Sequence, residues 1–165
     1  MPKVKYTTTK GLHQVAGKGV VGMRRSVEAL GDAAAATAIR SILTVDESGT
    51  IFLVPALTSG TQTLNLPIPS ADSIGCTYTF ILTATAGQDF NVQGGGTYKI
   101  VAAAPKGDGD NTAVSQAYDK IGFDANAVIG SRFTVTCVST TAGIAWHAHE
   151  IIDGLAANTG GINLA

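Results

Sequence analysis

From residue 46 onward, apolar side chains recur at every second position in short runs, and the runs are broken by glycine, proline and Ser-Gly pairs. A period of two belongs to half-buried strands, because successive side chains of a strand point to opposite faces. The clearest case is Cys76–Thr85, with Tyr78, Phe80 and Leu82 on one face and Thr77, Thr79 and Thr83 on the other. Thr50–Val54 stops at Pro55, and the alternation of Thr61–Leu66 ends at Pro67 and Pro69. Asp89–Gln93 and Thr97–Val101 flank Gly94–Gly96 and read as a hairpin. Lys120–Phe123, Arg132–Ser139 and Ile144–Glu150 complete the set. Eight short strands with no helix between them predict an all-β body, an antiparallel β-sandwich or barrel with Greek-key or jelly-roll-like connections. Residues 104–117 (APKGDGDNTAVSQA) are expected to form a long polar loop. The tail from Gly154 to Ala165 reads as an added edge strand or a second extended contact.

The first 45 residues have a different texture. Gly11, Gly17, Gly19 and Gly22 interrupt short apolar patches of no sustained period, which predicts an extended arm over residues 1–25. Ser26 to Leu43 is more helical in pattern. Asp32 is placed to cap Ala33–Ala36, Ile39 and Leu43 are four apart, and Gly31 limits any helix to short turns. The expected division is therefore a basic arm with a short helical segment over 1–45 and a β body with a glycine-rich tail over 46–165.

Charge divides at the same place. Lys3, Lys5, Lys10, Lys18, Arg24, Arg25 and Arg40 against Glu28 and Asp32 give residues 1–45 a net charge of +5, whereas residues 46–165 carry −6. A basic segment ahead of an acidic body points to an arm that lies on an acidic partner, either a neighbouring subunit or another protein. The arm lacks the dense Lys/Arg run with interleaved aromatics that would favour nucleic acid. Only 14% of the chain is charged, while 45% is apolar. This is a globular composition with a surface of small and β-branched side chains. No run of 18 uncharged apolar residues occurs, and no apolar stretch follows the basic residues of MPKVKYTTTKG, so neither a membrane span nor a secretory signal is expected.

Chemistry-bearing patterns are few. His147 and His149 share one face of a strand, a pair able to bind a divalent ion. A third ligand is missing, however: His13 lies in the arm, and Glu150 points to the opposite face of a regular strand. Cys76 and Cys137 share the parity of Phe80 and Phe133 and are expected in the core as free thiols, with a disulfide between facing strands as the alternative. Gly94–Gly96 lacks the Lys and Ser/Thr of a phosphate loop. Asp108, Asp110 and Asn111 resemble the start of a calcium loop without its closing Glu. With no nucleophile motif and no carboxylate pair beside a basic partner, no enzyme and no cofactor are expected.

An ordered series of segments carries a resemblance: LTVDESGTIFLV (Leu43–Val54), TQTLNLPIPSADSIGCTYTFIL (Thr61–Leu82), FNVQGGG (Phe90–Gly96), DKIGFDANAVIGSRFTV (Asp119–Val135), IAWHAH (Ile144–His149) and Gly160-Gly161-Ile162. In order and spacing they resemble small virion proteins of tailed bacteriophages, the capsid decoration or cement proteins. The family's S-D-G-T-x-W turn is replaced by Ser139-Thr140-Thr141-Ala142-Gly143, and residues 1–42 have no counterpart in it. The resemblance implies a β-sandwich that assembles as a homotrimer, is made in the host bacterial cytoplasm, and sits on the outer capsid surface against the major capsid protein. It implies no membrane and no direct nucleic-acid contact. The capsid-contact residues expected in the arm are Lys3, Lys5, Lys10, Lys18, Arg24 and Arg25. The alternative function is a tail or fibre-tip module that recognises a host surface through the 104–117 loop and the neighbouring Tyr118. A metal-dependent enzyme using His147 and His149 is a third.

Overall fold

The computed structural model describes residues 3–7, 11–16, 26–30, 42–58, 60–104, 114–152 and 162–164. β1 (Lys3–Thr7) and β2 (Gly11–Ala16) form an antiparallel two-stranded sheet of their own. The rest builds two larger sheets. One contains β3 (Val27–Ala29), β4 (Ile51–Val54), β6 (Thr77–Leu82), β11 (Arg132–Cys137), β12 (Trp146–Ile152), β8 (Ile100–Ala104) and β9 (Val114–Tyr118), in that spatial order. The other is ordered β13 (Ile162–Leu164), β10 (Lys120–Phe123), β7 (Phe90–Gln93), β5 (Gln62–Asn65). Among the described residues no helix is long and apolar enough to cross a membrane.

The alternation read from the sequence places the core. Tyr78, Phe80 and Leu82 of β6 are buried, as are Phe133, Val135 and Cys137 of β11 and Trp146 and Ala148 of β12. The register sets Phe133 opposite Phe80 and Val135 opposite Tyr78. Phe90 and Val92 of β7 meet Phe123 and Ile121 of β10 in the same way. The sheets face each other through aromatic rings: Phe80 lies 5.9 Å from Phe90, and Phe133 lies 5.1 Å from Phe123. The body is therefore a two-layer, all-β structure with one aromatic-centred core.

Several expectations are corrected. The sheets are mixed rather than antiparallel throughout, because β3–β4, β4–β6, β5–β7 and β8–β12 pair in parallel. For β4–β6 and β5–β7 the reason lies in the chain's path, which alternates between the sheets. It leaves β4 for β5 in the other sheet and returns to β6, so strands two apart in sequence lie side by side and point the same way. For the same reason β7 and β8 are not a hairpin: Gly94–Gly96 carries the chain from one sheet to the other. Gly94 suits that corner, since a Cβ there would strike the carbonyl oxygen of Tyr98.

Val114–Tyr118 is strand β9 where a loop is expected, at the edge of the larger sheet, where a polar sequence such as VSQAY is tolerated. With the tail strand β13, which edges the smaller sheet, residues 46–165 contribute ten described strands in place of eight. Val27–Ala29 is a strand rather than the start of a helix, because β4 offers it a parallel edge. The remainder of that expected helix, residues 31–41, lies outside the described residues. Leu30 and Leu43, ahead of residue 46, are 2% and 1% exposed members of the core.

Candidate assembly surface

The two large sheets share a basal end, where β3, β4, β6, β8 and β12 begin and β5, β7 and β11 finish. Two single 3-10 turns cap it, Val45–Glu47 ahead of β4 and Ala71–Ser73 ahead of β6. In the first, the Glu47 carboxylate accepts from the Thr44 N–H (2.7 Å) and the Thr44 hydroxyl (2.8 Å). The Tyr78 hydroxyl donates to the Thr44 carbonyl (2.9 Å) and fastens that turn to the core. Burial, helped by the neighbouring Cys76 thiol, pushes the Tyr78 phenol well above its ordinary pKa. In the second turn the Ser70 N–H donates to the Ser73 hydroxyl at 2.6 Å.

This end also carries exposed aliphatic side chains. Gly75 donates to the Cys137 carbonyl (2.8 Å) and Val138 to that of Ala145 (2.9 Å), which sets Ile74, Val138 and Ile144 at the ends of three neighbouring strands. Ile42 bridges to Asn65 where β5 finishes, and Ile68 follows three residues later. These five side chains are 53–72% exposed. Sequence reading missed four of them because they sit off the strand alternation, and it misplaced Ile144, which shares the parity of the buried Trp146 but lies in the turn before β12 and is exposed. The available signal was an isoleucine inside a turn sequence, Pro67-Ile68-Pro69 or Ser73-Ile74-Gly75.

Exposed carboxylates flank them at Asp46 and Asp72. Asp119, where the chain passes from β9 to β10, is ion-paired with Lys99. The basic segment joins the body at the same end: the Ser26 carbonyl accepts from Ile51, the first residue of β4 (2.8 Å). Of the expected capsid-contact residues, Lys3 and Lys5 fall on β1 of the N-terminal hairpin. Lys10, Lys18, Arg24 and Arg25 lie outside the described residues.

On the outer face of the larger sheet, His147 and His149 stack with ring centroids 6.3 Å apart. Glu150 does not point away as a regular strand requires. Its φ of 52° accompanies a register shift opposite Arg132–Thr134, and the carboxylate returns to this face to accept from Thr134 (3.0 Å). Two polar rows result. In one, the Thr79 and Thr134 hydroxyls lie 3.1 Å apart and lead to Glu150. In the other, the Thr77 and Thr136 hydroxyls lie 3.1 Å apart and lead to His149 Nε2 at 2.8 Å. His149 and Glu150 are thus tied to sheet threonines. Among the described residues no group of three or more His, Cys, Asp or Glu side chains is arranged to hold a metal ion.

Cys76 and Cys137 are buried free thiols on facing inward positions. The Cys76 sulfur lies 3.8 Å from the Asp72 carbonyl, and that of Cys137 lies 3.6 Å from the Ser73 hydroxyl. The calcium-like residues Asp108, Asp110 and Asn111 lie outside the described residues. Tyr118 packs half-buried against the core, so it is not an aromatic held out beside a recognition loop. No protein-family model matches the sequence, and no curated protein matches it.

Proposed function

We propose that this chain is a structural virion protein that decorates and stabilises the outer surface of a phage capsid by bridging major capsid subunits, as a homotrimer and without enzymatic activity. The observation that supports this reading most directly is the coincidence at the basal end: a segment with six cations and no acid in residues 1–25 leaves the body beside five exposed aliphatic side chains. A body that only had to remain dispersed would gain nothing from that arrangement, whereas an attachment element gains apolar burial and charge together. The ordered resemblance over residues 43–162 supplies the class of assembly. A shell strained by its packaged genome is stabilised by a part that holds several subunits at once, because linked contacts multiply in avidity. Lys3, Lys5, Lys10, Lys18, Arg24 and Arg25 supply the positive side of the attachment.

The test is co-sedimentation with capsids stripped of their decorating layer. The full chain should bind saturably, and a full-length variant with the six cations changed to glutamine should bind at least tenfold more weakly. A truncation must stop before residue 26, since one that removes residues 1–45 also takes Leu30 and Leu43 from the core. A full-length chain that leaves stripped capsids bare would overturn the assignment.

A further inference from the structure

We propose, resting on the reading of residues 1–25 as a docking arm, that the acidic surface this arm takes first is the basal end of a second copy of the same chain. Among the described residues, five of the eight large exposed aliphatic side chains share that end: Ile42, Ile68, Ile74, Val138 and Ile144. Among the described residues nothing buries them: they are 53–72% exposed. The exposed carboxylates of Asp46 and Asp72 border them on the two capping turns.

The arm is complementary on both counts. Residues 1–25 hold six cations and no acid, and the hairpin strands include Val4, Tyr6, Leu12 and Val15. Residues 17–25 join the hairpin to Ser26, and nine residues fully extended span at most about 30 Å, enough to pass from one body to the next. Because each arm is rooted on the kind of surface it recognises, docking brings the partner's root beside the first copy's own basal end. The contact can then be returned or passed on, which closes a pair or a ring.

The test uses the purified full-length chain alone. Unlabelled and 15N-labelled chains are mixed, joined with a zero-length carbodiimide, and mapped by mass spectrometry, while light scattering reports the native mass. Mixed-isotope links from Lys3, Lys5 or Lys10 to Asp46 or Asp72 are expected. Native mass should fall to that of a monomer in two variants, the six-cation-to-glutamine chain and Ile74→Asp/Val138→Asp. Ile129→Asp, equally exposed at the opposite end, should leave it unchanged. The arm variant alters no described core residue, so it remains decisive if the aspartate pair fails to fold. Links confined to single-isotope chains, a monomeric full-length chain, or an unchanged mass in the arm variant would each overturn the proposal. A chain that self-associates in this way yet ignores stripped capsids would overturn the capsid reading alone.

Discussion

Phe80 stands among the aromatic rings at the centre of the core and makes one of the ring contacts between the two sheets, and Phe80→Ala measures its contribution. The ring is fully buried and has three aromatic neighbours. Phe52 on β4 and Phe133 on β11 stack on it at 5.4 and 5.1 Å, and Phe90 of the opposite sheet lies 5.9 Å away. Removing a buried phenylalanine costs about 3–5 kcal/mol in transfer and cavity terms. Phe80 belongs at the upper end, because β6 is paired with β4 on one side and β11 on the other, so these strands cannot readily close over the void. A chain of this size is stable by roughly 5–15 kcal/mol, so the variant should fold but lose a large share of its margin. At about 2–4 °C per kcal/mol, the melting temperature should drop by roughly 6–20 °C.

Trp146 is the chain's sole tryptophan, fully buried and 5.9 Å from Tyr78, so its fluorescence reports urea unfolding of the same core. Phe80→Leu keeps most of the volume but loses the ring contacts, each worth about 0.5–1.5 kcal/mol, and should fall between the wild type and Phe80→Ala. A loss below about 1 kcal/mol for Phe80→Ala, at unchanged urea slope, would refute the claim that this ring joins the layers.

Two further outcomes follow from close contacts. A Cβ at Gly122 would run into the carbonyl oxygen of Phe90 and the Cα of Asn91, both backbone, so β10 cannot accept it without parting from β7. Gly122→Ala should therefore cost at least about 1–3 kcal/mol in a urea melt, whereas Gly95→Ala, whose new methyl meets only ordinary contacts, should be near neutral. Tyr78 makes stability depend on alkaline pH. The unfolded phenol ionises near 10, while the folded one is held above that by burial, so between the two values the native state keeps a proton that the unfolded state releases. Stability should fall as pH rises past about 10, by up to about 1.4 kcal/mol per unit from this group. Tyr78→Phe should lose that component and cost about 1 kcal/mol at neutral pH through the abandoned Thr44 carbonyl. Urea midpoints of both chains at pH 8 and pH 11 decide the matter, and parallel declines would refute it.

The amino-acid sequence by itself determined where the central strands of the body run and which of their side chains face inward. Tyr78, Phe80 and Leu82 announce their face because a strand's period of two is a local property, set by the pleat whatever lies beside it. The buried thiols of Cys76 and Cys137 were legible by the same parity, and the basic segment was legible because net charge needs no fold to be counted. Edge strands were harder. β9 carries no strong alternation, and Val27–Ala29 reads locally as helix until β4 offers it hydrogen bonds.

Only the tertiary structure decided what lies next to what. Asp89–Gln93 and Thr97–Val101 look like a hairpin in sequence, but glycines permit a corner between layers as readily as a turn within one. The path chosen makes four pairings parallel. Glu150 joins the face of His149 because a register slip against β11 rotates it there, and no residue within β12 alone encodes that slip. Ile42, Ile68, Ile74, Val138 and Ile144 are 102 residues apart from first to last and stand in turns and at strand ends. They share one end of the molecule only because strands from distant segments begin and finish there. Local periodicity is written residue by residue, whereas adjacency is settled by the burial of one common core.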